Sequence, residues 1–270
     1  KIGGDWSCSG TFTPNSRAIF VNGSGDQTIN NSSSNFDYVI IDKSGGALDF
    51  FGSNSSATID FNLTVLNGTF EIPAGKSLTV SGDLSNSGTF TLKSDQTGKP
   101  AVNPTGSLIV NGTVPSNINI ERFIPGYSKG TGWHLLSSPV AAQAIGVFDN
   151  VGGSDDFYKW VESANAGLGE WDNRSEDDGS GGSVLDGSFE TEFVVGRGYL
   201  VGYSSPLTKT FSGTINNSDV PIGSLTNTNG GPDDGWNLIG NPFSSAVKWD
   251  ESGTWGLDKV SGIAKYYDES

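Results

Sequence analysis

The feature that most constrains this chain is a short phrase repeated through residues 11–112. Each phrase has a few alternating β-forming residues followed by a turn of Gly, or of Asn and then Gly. Leu63–Leu66, followed by Asn67 and Gly68, is an example. Val, Ile, Leu, Phe and Thr that alternate between turn residues indicate short β-strands. No segment in this part of the chain has apolar residues at the spacing of an amphipathic helix, so its fold must be built from strands.

Two of these phrases, Asn67–Ile72 and Asn86–Leu92, are close copies. They lie about 20 residues apart, which is the usual length of one coil of a β-solenoid. One coil cannot bury its own apolar face, so coils stack at about 4.8 Å. The spacing predicts a short right-handed parallel β-solenoid over residues 1–118. The alternative is an antiparallel sandwich, because Asn-Gly is also a common hairpin turn.

The rest of the chain, residues 119–270, contains a duplication. Gly132–Val140 reads GWHLLSSPV, and Gly235–Phe243 reads GWNLIGNPF. Strands are predicted at 193–195 and 208–215, and Gly and Pro residues again mark the turns between strands. This pattern predicts an antiparallel β-sandwich of jelly-roll type with an internal repeat.

The second copy of this repeat should be truncated. In the first copy, the strand Gly198–Val201 follows Lys159 at a distance that would place its counterpart beyond Ser270. We therefore expect the natural protein to continue past this residue.

Charge and composition exclude several classes of protein. Lys and Arg total 15 against 30 Asp and Glu, for a net charge of −15, which counts against a binder of nucleic acid or anionic lipid. One cysteine excludes a disulfide within the chain and a zinc cluster built on cysteines. No apolar run approaches about 18 residues, so no membrane span is predicted. The acidic, Gly-, Ser-, Asn- and Thr-rich composition suits an extracellular bacterial protein.

Several phrases carry a family resemblance. Trp6–Pro14, Ile19–Ile29 and the two Gly-Trp phrases at 132–140 and 235–243 resemble repeats of secreted surface proteins of Bacteroidota. In that family such regions precede a C-terminal sorting domain read by the type IX secretion system. The resemblance covers most of the chain and implies export, display at the bacterial cell surface and adhesin-like or polysaccharide-handling parent proteins. It implies no catalytic residues.

Groups that could support catalysis are scarce. His134 is the only histidine, so a multi-histidine metal site is excluded and a Ser-His-Asp triad would have to use this residue. Cys8 has no histidine neighbour in sequence. The sequence therefore predicts that the chain is not an enzyme.

Carboxylates cluster in the second region, and Asp172, Glu176, Asp177 and Asp178 lie within one short segment. Calcium prefers several oxygen ligands from a flexible loop, so Ca²⁺ is the one cofactor considered, although the EF-hand spacing is missing. A solvated acidic loop is the alternative, and a catalytic carboxylate pair, as in glycosidases, is a third interpretation.

Tryptophans fall into two groups. Trp160, Trp171 and Trp255 lie beside charged or Gly-rich segments, where flat rings with polar neighbours suit stacking on sugars. Trp171 is the best single glycan-binding candidate, although a role in anchoring the loop to the core is favoured over it. Trp133 and Trp236 each share a strand face with a leucine, which favours core packing.

The function predicted from these observations is a non-catalytic structural or adhesive segment of an extracellular surface protein. Its partners would be polysaccharides or other surface proteins, together with the type IX secretion machinery implied by the resemblance. Nucleic acid and direct membrane insertion are not expected. A carbohydrate-binding module of a polysaccharide-degrading enzyme is the alternative, and a glycosidase or lyase is the third candidate.

Overall fold

A computed structural model describes residues 1–31, 35–96, 104–127, 132–149, 155–164, 169–180, 182–223, 225–228, 235–249, 256 and 263–265 of this chain, without the side chains at 177 and 183. The described part is all-β. The strands of the first half are β1 (Trp6–Cys8), β2 (Ala18–Gly23), β3 (Gln27–Asn31), β4 (Tyr38–Lys43), β5 (Leu48–Asp49), β6 (Ser56–Ile59), β7 (Leu63–Asn67), β8 (Thr69–Ile72), β9 (Ser77–Val80), β10 (Leu84–Asn86), β11 (Thr89–Leu92), β12 (Ser107–Val110) and β13 (Ile118–Ile124).

These strands form a parallel β-solenoid of about four turns. Face A consists of β2, β4, β7 and β10, and face C of β6, β9 and β12. Face B consists of β1, β3 and β5, followed by β8, β11 and β13. Every strand pair within a face is parallel. The prediction of a solenoid is therefore confirmed, and the antiparallel alternative for this half is wrong.

The two sequence copies stack directly on each other. Thr69 lies opposite Thr89 and Phe70 opposite Phe90 in the parallel pair β8–β11. The alternating apolar residues of successive coils point inward and form a ladder of rings: Phe36 and Phe50 have centroids 5.2 Å apart, Phe50 and Phe70 5.5 Å, and Phe70 and Phe90 5.0 Å. The interior of the solenoid is thus one continuous aromatic and aliphatic core.

Asp and Asn side chains link one coil to the next at the corners. The Asp26 carboxylate accepts a hydrogen bond from the Ala47 amide at 2.8 Å, and the Asn62 side-chain oxygen accepts one from the Asp83 amide at 2.9 Å. These bonds satisfy backbone donors where the strands end. Gly46 occupies one corner with φ +69, where a Cβ would lie 2.2 Å from the carbonyl carbon of Gly25, so a side chain cannot be accommodated.

The second half forms smaller antiparallel sheets. Its strands are β14 (His134–Leu136), β15 (Asp156–Val161), β16 (Glu170–Asn173), β17 (Ser175–Asp177), β18 (Ser183–Leu185), β19 (Tyr199–Gly202) and β20 (Leu207–Gly213), with one 3₁₀ turn at Ile145–Val147. One sheet has the order β14-β19-β15-β16, and β17 pairs with β18. The strand predicted at 193–195 is wrong, because the Arg197 amide bonds to the Val194 carbonyl and closes a turn there.

The two halves join through strand pairing. β13 pairs in parallel with β11 and antiparallel with β20, so face B continues into the second half across the predicted boundary at residue 118. The last strand of face C is covered by polar side chains. Ser244, which is buried, donates to the Leu108 carbonyl at 2.8 Å, and Asn217 donates to the Gly112 carbonyl at 2.6 Å. The second half therefore closes this end of the solenoid.

Candidate functional site

Two of the predicted sugar-binding tryptophans lie together on the second-half sheet. Trp160 on β15 and Trp171 on β16 are directly opposite in the antiparallel register, with ring centroids 5.4 Å apart and planes at 66°. Trp171 is 42% exposed and Trp160 is half-buried. Gly169, at φ +70, lets the Trp160 ring approach, because a Cβ there would lie 2.3 Å from its Cζ2. Trp255 lies outside the described residues.

A third tryptophan joins this pair through its backbone. The Trp160 indole Nε1 donates to the Trp236 carbonyl at 2.7 Å, and the Trp236 ring is 38% exposed with the Lys265 ammonium 4.5 Å from its centroid. The prediction that Trp236 packs in the core is wrong. Residues 235–238 form no strand, so the alternation of faces on which that prediction depended does not operate. Trp133 is half-buried beside Tyr127 and Tyr158.

A groove of about 330 Å³ lies beside Trp160. Its walls combine aliphatic side chains with one guanidinium, and they include Trp160, Val194, Arg197, Ile222, Leu225 and Ile239. Val194, Leu225 and Ile239 each expose more than a third of their surface. A flat indole beside such a groove can hold the apolar face of a small ring, with hydrogen bonds at its rim.

Glu162 organises one wall of the groove. It is buried, and its carboxylate accepts hydrogen bonds from the Thr228 amide at 2.7 Å and the Gly235 amide at 2.9 Å. Hydrogen bonds from the Thr226 side chain and from these amides lower the pKa of Glu162 from 4.5 to about 2. Sequence reasoning missed this residue, because its partners lie more than 60 residues downstream and no local motif marks them.

Glu162→Gln is expected to lower the melting temperature at pH 7. The uncharged amide has only one acceptor oxygen and replaces charge-assisted hydrogen bonds with weaker neutral ones. Because the pKa of Glu162 is lower in the folded chain, its stabilisation is fully present above pH 4.5 and is lost as the pH falls toward about 2. Melting curves from pH 7 to pH 2.5 should show the difference from wild type shrinking in that window.

The control for this prediction is Glu192→Gln, which alters an exposed carboxylate and should leave the melting temperature nearly unchanged. A difference between wild type and Glu162→Gln that is independent of pH would contradict the assignment.

Asp172, one of the predicted calcium ligands, is part of an ionic cluster beneath the sheet. The Lys159 ammonium lies 3.1 Å from the Asp172 carboxylate and 3.0 Å from Glu190, and Arg197 lies 2.7 Å from Glu190. The Tyr199 hydroxyl also donates to Glu190 at 2.9 Å. Burial alone would lower the pKa of Lys159, but hydrogen bonds to Glu190 and Asp172 raise it above its ordinary value. These charges neutralise one another within the protein.

Glu176 and Asp178, two of the other predicted calcium ligands, do not form a metal site with Asp172. Glu176 lies on β17 opposite Val184, and Asp177 ends the same strand, with its side chain outside the described part. Asp178 accepts hydrogen bonds from the Ser180 side chain and amide, and these lower its pKa. No group of three or more His, Cys, Asp or Glu side chains placed to share a metal occurs among the described residues. Calcium binding stays a prediction.

Comparisons with known proteins identify one family. A family model described as a domain of unknown function (DUF8693) matches residues 37–268. No curated protein and no solved structure matches the chain significantly. Within the described ranges, no helix has the length and apolar character needed to span a bilayer.

Proposed function

This chain belongs to the DUF8693 family of domains of unknown function, and we propose that it is a non-catalytic structural and adhesive segment of an extracellular bacterial surface protein. The observation that supports this role is the unbroken core of the solenoid, which continues through β13 and β20 into the second half. A stack of repeats of this kind extends along one axis, because each coil contacts only its neighbours. It can therefore hold the parts of a surface protein at a set distance from each other. Its partners would be polysaccharides or other surface proteins.

Export by the type IX secretion system and display at the cell surface belong to the same proposal. They follow from the resemblance of the Trp6–Pro14 and Gly-Trp phrases to secreted Bacteroidota surface proteins. The acidic composition is compatible with an extracellular setting.

We further propose that the solenoid is right-handed and that the second half is a jelly-roll-like sandwich built on a duplicated unit. Both Gly-Trp copies lie against the segment 196–202, because Leu136 pairs with Tyr199 and Ile239 bridges to Arg197, both antiparallel. Both copies also form the same local turn. The Val140 amide donates to the Ser138 hydroxyl, and the Phe243 amide donates to the Asn241 side-chain oxygen.

The structural role is tested by calorimetry combined with a polysaccharide turnover screen. We expect one unfolding transition, with equal calorimetric and van't Hoff enthalpies, because the two halves share a core. We also expect no new reducing ends and no unsaturated products from a panel of polysaccharides. Two separate transitions, or release of products, would contradict the proposal.

Carbohydrate binding is the second candidate function, and the exposed Trp171 ring held edge-to-face by Trp160 supports it. The groove beside Trp160 would take the rest of a short saccharide. A glycan array with the folded chain, with and without calcium, would identify the ligand.

Trp171→Ala is expected to weaken glycan binding by about 1–3 kcal/mol, the range for an aromatic hot spot, with little change in melting temperature. Titration calorimetry against the best array hit would measure the loss. Phe61→Ala is the matched control, because Phe61 has the same 42% exposure but lies on the solenoid. Equal affinity of Trp171→Ala and wild type would remove this ring from the binding site.

A further inference from the structure

Strands β13 and β20 place two cations directly opposite each other. Arg122 pairs with Lys209 in the antiparallel register, and both side chains are half-buried. They lie on the same face as the buried pair Ile120 and Phe211, because alternate residues of a strand share a face. Like charges in opposed positions destabilise a sheet, so this pair needs a compensating negative charge.

Among the described residues, the acceptors for these two cations are neutral. Arg122 Nη1 donates to the Glu121 carbonyl at 2.8 Å, and Lys209 Nζ donates to the Val147 carbonyl at 3.0 Å. The Lys209 ammonium also lies 5.2 Å from the centroid of the Tyr203 ring. In the part of the chain that the structure describes, neither cation forms an ion pair with a carboxylate.

Two carboxylates on the adjoining elements are already committed to other cations. Glu121 points to the opposite face of β13 and lies 2.6 Å from the Lys93 ammonium. Asp149, just after the 3₁₀ turn, pairs with Arg174. Burial lowers the pKa of Arg122 to about 10, so its guanidinium remains charged at neutral pH. The chain has twice as many acidic as basic residues. Two cations in opposed positions that form no ion pair with a carboxylate are therefore unexpected.

We propose that Arg122 and Lys209 form a binding site for an oxyanion, a carboxylate or sulfate group carried by a small ligand. From opposed positions in the register, a guanidinium and an ammonium can supply charge-assisted donors to two oxygens of such a group. The net charge of −15 repels polyanions, so the ligand carries a single oxyanion group. A sugar acid unit and free sulfate are the two sources of this chemistry.

The experiment titrates the full chain with sodium glucuronate and with sodium sulfate at constant ionic strength, using sodium chloride and glucose as blanks. We expect saturable binding of at least one oxyanion. Arg122→Met and Lys209→Met should each weaken it by about tenfold or more, the loss expected when a hydrogen bond to a charged group is removed. If glucuronate binds more tightly than sulfate, the ligand is a sugar acid. If sulfate binds more tightly, the ligand is free sulfate.

Arg17→Met is the matched control, because it removes an exposed guanidinium elsewhere and changes the net charge equally. It should bind the oxyanion as wild type does. In buffer without the oxyanion, Arg122→Met should melt at or above the wild-type temperature, because the cost of burying the guanidinium is removed, which also shows that the variant is folded. No saturable binding by wild type, or binding that neither Arg122→Met nor Lys209→Met weakens, would overturn the proposal.

Discussion

Replacing Phe70 with alanine is expected to lower the free energy of unfolding by about 3–5 kcal/mol, the usual cost of deleting a buried aromatic ring. Phe70 is fully buried in the ring ladder, 5.5 Å from Phe50 and 5.0 Å from Phe90 between centroids. The coils above and below are held by their strand registers, so the cavity cannot collapse. A loss of this size is a large fraction of the stability of a typical domain.

Urea unfolding followed by intrinsic fluorescence would measure this loss. Phe61→Ala is the control, because Phe61 is 42% exposed and packs face-to-face on Tyr38 outside the core. It should cost less than about 1.5 kcal/mol, given that surface substitutions have small effects. A loss below about 1 kcal/mol for Phe70→Ala would mean that the interior is not packed as the structure shows.

Replacing Arg174 with methionine is the second change with a large expected effect, a loss of about 3–5 kcal/mol of unfolding free energy. Arg174 and Asp149 form an ion pair whose side chains are 8% and 1% exposed. Without the guanidinium, the Asp149 carboxylate is left buried and uncompensated. Its second oxygen, Oδ1, is buried and has no hydrogen-bond partner among the described residues, so no described donor offsets the charge there.

A double variant separates two contributions to the loss of stability: the loss of the ion pair itself and the cost of leaving the Asp149 carboxylate buried without a partner. Arg174→Met combined with Asp149→Leu should recover most of the stability, because an apolar pair can replace a buried ion pair at little cost. Lys93→Met is the control for a more exposed pair, with side chains 38% and 16% exposed, and should cost below about 1 kcal/mol. If Arg174→Met unfolds no more easily than Lys93→Met, the Asp149 carboxylate is solvated.

The solenoid could be predicted because its determinants are local. Alternation within Leu63–Asn67 and the near-identity of Asn67–Ile72 and Asn86–Leu92 depend on residues close in sequence, and stacking repeats them. The strand at 193–195 is predicted from three consecutive β-forming residues with Gly and Pro nearby. A local turn replaces the strand, because the Arg197 amide donates to the Val194 carbonyl.

The candidate site could be predicted only in part. Trp160 and Trp171 were identified from their neighbours in sequence, and the structure brings them together across β15 and β16. Glu162 and the pair of Arg122 and Lys209 were not identified, because each depends on a partner more than 60 residues away. Arg174 lies within the acidic segment that the sequence analysis singled out. Its role as a buried ion-pair partner could not be predicted, because it depends on Asp149, outside that segment.

By itself, the sequence determined the all-β class and the parallel stacking of the first half, because a two-residue period and a repeating coil length are properties of neighbouring residues. Only the tertiary structure decided which charges meet. It placed Asp172 against Lys159, Arg174 against Asp149, and left Arg122 facing Lys209. Ion pairing depends on distance and on solvent exclusion, and both arise only when strands remote in the chain are brought side by side.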